Sequence, residues 1–120
     1  YYGGSWCGPC RKFSPDLVKY FNEVAEKNPK LLVILMSNDK RDADMLSYMT
    51  EEKMPWPALP LANLQKTPLF TSYMGTGIPQ LTIVDRYGKV LASNWLNQQY
   101  SNPRQTLAQL TKLVDEGKAR

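Results

Sequence analysis

The chain has 120 residues, 42% of them hydrophobic, and a formal net charge of +4 at pH 7, which fits a single domain over residues 1–120 with a modest core. Its basic residues gather in nothing longer than dipeptides such as Arg11-Lys12 and Lys40-Arg41, which excludes the clustered basic face of a nucleic-acid binder. No apolar run approaches the ~20 residues of a membrane span, and no repeat or low-complexity segment is present.

Tyr1-Tyr2 reads as the end of a strand, and Gly3 to Trp6 as the turn after it. A chain that opens inside a strand is expected to lack an upstream part: the rest of that strand, an earlier strand and helix, or a leader. The only two cysteines follow, in Trp6-Cys7-Gly8-Pro9-Cys10. A helix is expected from Cys7 to about Lys27, with Phe13, Leu17, Phe21, Val24 and Ala25 on one face. Pro15 is expected to interrupt and bend it, and Asn28-Pro29 to end it. Leu31 to Met36 is a continuous apolar run, the pattern of a strand buried on both faces. Two strands joined by a helix imply a right-handed parallel crossover. Asp39 is placed to cap a second helix from about Lys40 to Thr50, with Met45, Leu46 and Met49 inward. Three prolines between Lys53 and Leu61 make a stiff loop without regular structure. Thr67-Pro68 opens a short helix that stops at Gly75. Leu81–Val84 and Val90–Ser93 read as an antiparallel hairpin around the turn Arg86-Tyr87-Gly88-Lys89. Asn102-Pro103, with Gln105 at the third helical position, opens a last helix. Its inner stripe is Leu107, Leu110 and Val114, and Gly117 ends it. This order predicts an α/β fold, a mixed sheet with helices on both faces.

The spacing of the cysteines carries the chemistry. A thiolate that attacks a disulfide becomes covalently joined to its target, and a second nearby thiol is needed to release it. A helix starting at Cys7 brings Cys10 within reach. Pro9 fits the first turn, where its missing N–H costs nothing, and Gly8 adds no side chain to block access. Unpaired N–H groups at the helix start favour negative charge, so the Cys7 thiolate pKa is expected to fall from about 8.5 toward about 7. Cys7 is therefore the expected nucleophile and Cys10, one turn deeper, the resolving thiol. A zinc site wants four ligands, and the chain has no histidine and no third cysteine. A purely structural disulfide here would close too small a loop to constrain the unfolded chain much. No metal and no cofactor is implied. Trp6 is a candidate apolar contact for substrate, with core packing as the alternative. Asp39, at the carboxyl end of the second strand where ligands collect in parallel units, could relay a proton to Cys10 instead of capping a helix. Met45, Met49 and Met54 read as packing.

At this point the chain resembles the thioredoxin fold. Trp6-Cys7-Gly8-Pro9-Cys10 is similar to the signature of thioredoxins, Pro15 stands at their kink proline, and Ile78-Pro79 before the third strand matches their cis-proline loop. A closer resemblance is to tryparedoxins and nucleoredoxins. Their W-C-x-P-C-R-x-F-[ST]-P pattern is met by Trp6 to Pro15, their M-P-W-x-A-L-P segment by Met54 to Pro60, and their S-x-D by Ser37-Asn38-Asp39. Gly8 departs from these relatives, which usually carry proline there. Tyr1 stands where thioredoxins have a buried aspartate. The resemblance implies that Pro79 is cis, that the backbone at Ile78 and Pro79 pairs with an extended substrate segment, and that Trp56 lies at the rim of the active site. Trp56 as a lid over the core is the alternative. The expected substrate-binding set is Trp6, Gly8, Pro9, Trp56, Ile78 and Pro79.

The expected function is thiol–disulfide exchange, as a disulfide reductase acting on a protein or small-molecule disulfide. A thiol or reductase of unidentified kind would reset the pair, and the chain is expected to be a monomer. Two alternatives stand: direct peroxide reduction, for which no acidic-thiol pocket motif is present, and a non-catalytic interaction module keeping the fold. Oxidant and reductant share this architecture, and the Gly-Pro pair resembles the reducing side. Export behind a leader is the expected localisation, with the cytoplasm as the alternative.

Overall fold

The structure, a computed structural model, describes residues 1–24, 27–29, 31–64 and 66–115. Its elements in chain order are β1 (Tyr2–Gly3), α1 (Gly8–Val24), β2 (Met36–Ser37), α2 (Asp42–Glu51), α3 (Leu61–Leu64), α4 (Pro68–Ser72), β3 (Thr82–Val84), β4 (Val90–Ser93), β5 (Trp95–Leu96), β6 (Gln99–Tyr100) and α5 (Pro103–Asp115).

β1 is the centre of the sheet. It pairs parallel with β2, Tyr2 opposite Met36 and Gly3 opposite Ser37. On its other side Tyr2 bridges antiparallel to Gln80, just before β3. β3 and β4 form the expected antiparallel hairpin, with a register shift between Ile83 and Val84. Its turn is tied by the Asp85 carboxylate, which accepts from the amides of Tyr87 (2.8 Å) and Lys89 (3.0 Å). Gly88 takes φ +87° there, a conformation glycine adopts without steric cost.

The expected strand at Leu31–Met36 is much shorter than its apolarity implies. Leu35 bridges Ala58 and only Met36–Ser37 form a ladder, while Leu32 is 65% exposed. A strand exists only where a partner backbone supplies hydrogen bonds. The Tyr1 nitrogen donates to the Ile34 carbonyl at 3.0 Å. The bridge to Ala58 also gives the proline-rich loop a point of regular pairing, and α3 begins at Leu61, within the segment expected to be irregular.

α1 buries Cys10, Phe13, Ser14, Leu17 and Val18, with Phe21 packed beside them. Pro15 does not interrupt it. The proline lies on the exposed side of a continuous helix, where water can take the Arg11 carbonyl that its missing N–H leaves free. The last part expected of this helix, at Ala25 and Glu26, lies outside the described residues.

α2 starts at Asp42, with Arg41 at its N-cap and no side-chain cap bond. Asp39 is therefore not its cap, being committed elsewhere. Met45 and Tyr48 are the buried residues of this helix, and Leu46, expected inward, is exposed. α4 is shorter than expected and ends at Ser72. At α5 the Asn102 side chain accepts from the Arg104 amide at 2.9 Å, an N-cap of the expected kind. Leu110 is buried, with Leu107, Leu113 and Val114 packed around it, and α5 lies against β4 and α1. Gly117 lies outside the described residues. No helix among the described residues is long and apolar enough to cross a membrane.

Candidate active site

The strand-to-helix turn at Gly4–Cys7 puts both sulfurs at the amino end of α1. Cys7 is the N-cap residue in all but name: its carbonyl accepts from Arg11 N at 3.0 Å and its Sγ accepts from Cys10 N–H at 3.2 Å. A sulfur held against a helix-start amide is stabilised as an anion. Cys7 and Cys10 are joined as a disulfide, with Cα atoms 5.2 Å apart. Residue exposure is 5% at Cys7 and 0% at Cys10, while Gly8 and Pro9 between them are exposed. A Cβ added at Gly8 would meet open space.

The turn itself is fastened by Asp39. Its carboxylate accepts from Ser5 N at 3.1 and 3.2 Å, from Ser5 Oγ, and from Ser37 Oγ at 2.6 Å. These contacts tie the residues just before Cys7 to the end of β2. Asp39 makes no hydrogen bond to Cys10 among the described residues, so its observed work is to hold the turn. Arg11 adds a second tie, donating from Nε to the Ser5 carbonyl at 2.9 Å. The same guanidinium reaches Glu51 at the end of α2 and Glu52 just after it, and lies 4.9 Å from the centre of the Tyr48 ring. Trp6 is 66% exposed, its Nε1 donating to the Asn38 carbonyl at 3.2 Å.

Behind Cys10 lies a buried cluster of hydroxyls. Ser14 Oγ is 2.7 Å from Tyr1 OH and 2.8 Å from Tyr48 OH, and the two phenols are 3.2 Å apart. Burial pushes both phenols above the ordinary tyrosine value. The position where a carboxylate was absent by resemblance is thus filled by a neutral, internally satisfied network.

Ile78-Pro79, distant in sequence, comes up to the cysteines. The Ile78 carbonyl oxygen is 4.0 Å from Cys7 Sγ, and the Ile78–Pro79 bond is cis. Two residues that the pattern of the sequence left unremarked hold this segment: Asn94 Nδ2 and Tyr100 OH both donate to the Pro79 carbonyl, each at 2.9 Å. The β5–β6 hairpin that carries Tyr100 was also unmarked. Its Asn97 and Gln98 take φ +53° and +63°, the left-handed pair of a tight two-residue turn, but neither residue is glycine.

The structure therefore brings together Trp6, Cys7, Gly8, Pro9, Cys10, Ile78 and Pro79. Trp56 lies in the same buried cluster as Cys7 and Cys10. It is 3% exposed and packs edge-on against Phe21 at 5.6 Å between ring centres, and its buried Nε1 finds no partner among the described residues. The proline-braced loop turns the indole into the core. An apolar groove of about 320 Å³ runs between residues 31–36 and 81–86, and its lining contains neither cysteine.

The sequence matches the family described as Thioredoxin-like over residues 1–90. It is similar to the protein named probable nucleoredoxin 1 of Arabidopsis thaliana, 34% identical over 95 residues, which are 78% of this chain and 16% of that protein. It is similar also to nucleoredoxin of Danio rerio, 32% identical over 109 residues, 87% of this chain and 26% of the relative. The chain thus spans 16% and 26% of the lengths of these two curated relatives. Among solved structures it superposes on tryparedoxin I from Leishmania major with a TM-score of 0.72 at 29% identity, covering 94% of this chain and 72% of that one.

Proposed function

The chain belongs to the thioredoxin-like family and has the thioredoxin fold, and from that premise we propose that it is a thiol–disulfide oxidoreductase working as a disulfide reductase. The observation that carries the reading is the Cys7–Cys10 pair at the start of α1, with the Cys10 amide donating to Cys7 Sγ.

In the reduced chain the Cys7 thiolate attacks a substrate disulfide. The substrate S–S bond breaks, one substrate thiolate leaves, and Cys7 is left in a mixed disulfide. The Cys10 thiolate then attacks Cys7 Sγ, expelling the second substrate thiolate and closing Cys7–Cys10. Two electrons pass from the dithiol to the substrate, and an external thiol or reductase returns them. Ile78 and Pro79 supply backbone beside Cys7 for an extended segment of substrate to pair with, and exposed Trp6 offers an apolar contact next to it. The substrate is a disulfide-bearing polypeptide or small molecule, and the chain acts as a monomer.

The test is insulin reduction coupled to dithiothreitol. Cys7→Ser abolishes turnover. Cys10→Ser leaves attack intact and accumulates a covalent adduct, visible by mass spectrometry and released by added thiol. A Cys7→Ser protein that still reduces insulin refutes the assignment.

A further inference from the structure

The segment at Ile78–Pro79 is held more firmly than its own hydrogen-bonding needs require. A carbonyl oxygen has two lone-pair sites and is satisfied by one donor. The Pro79 carbonyl receives two, from the Asn94 amide and the Tyr100 hydroxyl, both at 2.9 Å. Two donors converging from different directions fix the orientation of the peptide plane as well as satisfying it. Asn94 is 0% exposed, and its side chain is spent wholly on backbone. Besides Pro79, Nδ2 donates to the Ser101 carbonyl at 3.1 Å, and Oδ1 accepts from Leu81 N at 2.7 Å. One side chain therefore grips the chain on both sides of Gln80 and links it to the end of the β5–β6 hairpin.

The hairpin also packs against the approach to Ile78. A Cβ at Gly77 would come 2.8 Å from the Tyr100 ring, and one at Gly75 would run into the Trp95 ring. Both glycines are the bare backbone against which the hairpin's aromatics are seated. The buried Gln80 completes the frame, accepting from Gly75 N at 2.8 Å and donating to the Tyr73 carbonyl at 2.6 Å. The Pro79 ring locks φ between the two peptides, so holding the peptide after Pro79 restricts the one before it, which carries the Ile78 carbonyl 4.0 Å from Cys7 Sγ.

We infer that Asn94 and Tyr100 are positioning residues for substrate recognition: they act through the Pro79 carbonyl to hold the Ile78–Pro79 backbone in register with Cys7 for an extended, disulfide-bearing polypeptide. This rests on the reading above that Ile78 and Pro79 dock substrate. It assigns to the β5–β6 hairpin the discrimination between polypeptide disulfides, which need backbone pairing, and small disulfides, which do not.

Tyr100→Phe is the clean test, because it keeps the ring over Gly77 and deletes only the donor. KM and kcat are measured with insulin, alongside the rate of reaction of the reduced chain with dipyridyl disulfide, which has no backbone to pair, and Tm. The expected result is a KM for insulin raised about fivefold, as loss of one hydrogen bond implies. kcat and the dipyridyl disulfide rate stay near wild type, and Tm falls by no more than about 4 °C, the stability cost of one hydrogen bond. Asn94→Asp would set a carboxylate against the Pro79 and Ser101 carbonyl oxygens in a fully buried site and is expected to lower Tm strongly, so Tyr100→Phe decides the question. An unchanged KM in Tyr100→Phe overturns the inference and leaves the reductase reading standing. Equal losses with insulin and dipyridyl disulfide overturn it as well, since they report a general structural defect. A wild-type chain that reacts with dipyridyl disulfide but reduces no insulin overturns the docking reading and this inference together.

Discussion

Asp39 illustrates how one buried carboxylate can look catalytic in sequence and act as a fastener in the fold. Each of its contacts goes to Ser5 or Ser37, and the amide it satisfies lies two residues before Cys7. Removing it strands those donors, at a cost of about 2–3 kcal/mol for hydrogen bonds to a charged group, or roughly 10 °C in Tm. Asp39→Ala is expected to show that drop in thermal denaturation, with a parallel loss of turnover as the turn loosens. A proton relay would instead shift the pH profile of turnover and leave Tm in place. Gly8 makes the opposite case. It is the first residue of α1 and a Cβ there meets only solvent, so glycine is kept at the expense of unfolded-chain entropy. Gly8→Ala should stabilise the chain by about 0.4–1 kcal/mol, read as a rise in urea midpoint; a fall would mean that the turn needs glycine's freedom after all.

At the level of elements, what was legible in the sequence is what is encoded locally. The helix start around Cys7 to Cys10, the turn read at Arg86–Lys89 between β3 and β4, which closes one residue earlier from Asp85 to Gly88, and the Asn102 cap of α5 each follow from a few adjacent residues. The misses depend on distant partners. Leu31 to Leu35 are as apolar as a buried strand, but the regular ladder is confined to Met36–Ser37. Trp56 sits in a loop that looks solvent-bound, and Phe21 on α1 decides its burial. Tyr48, Ser14, Asn94 and Tyr100 give no periodic signal because each is a polar residue whose place is set by hydrogen bonds across the fold. α2 shows the consequence for the core face. Met45 is buried and Leu46 exposed, although adjacent residues of equal hydrophobicity offered no basis to choose. Met45→Ala is expected to cost about 2–5 kcal/mol and Leu46→Gln no more than about 0.5 kcal/mol in chemical denaturation. Equal effects would mean that the helix is rotated from the position described.

For the molecule as a whole, buried tyrosines set the behaviour in alkali. Burial holds the phenols of Tyr1, Tyr2 and Tyr48 above the ordinary tyrosine value. Above a pH of about 10 the unfolded chain gives up phenolic protons that the folded chain retains. The folded state then binds more protons, so their contribution is fully present below that pH and is lost as pH rises beyond it. The urea midpoint should decline steeply from there, and Tyr48→Phe should flatten the decline; an unaltered slope would place the effect elsewhere. A larger coupling lies in the core. Cys7 and Cys10 belong to the same buried cluster as Phe13, Leu17 and Trp56, so making or breaking the bond between them changes the core of the unit that folds. A thermodynamic cycle links the two processes: the gap in unfolding free energy between oxidised and reduced chains equals the gap in potential between folded and unfolded ones, about 30 mV for each 1.4 kcal/mol. Calorimetry on the two forms thus becomes an electrode. Higher heat resistance with the sulfurs bonded identifies a donor of electrons, and higher resistance with them free identifies an acceptor.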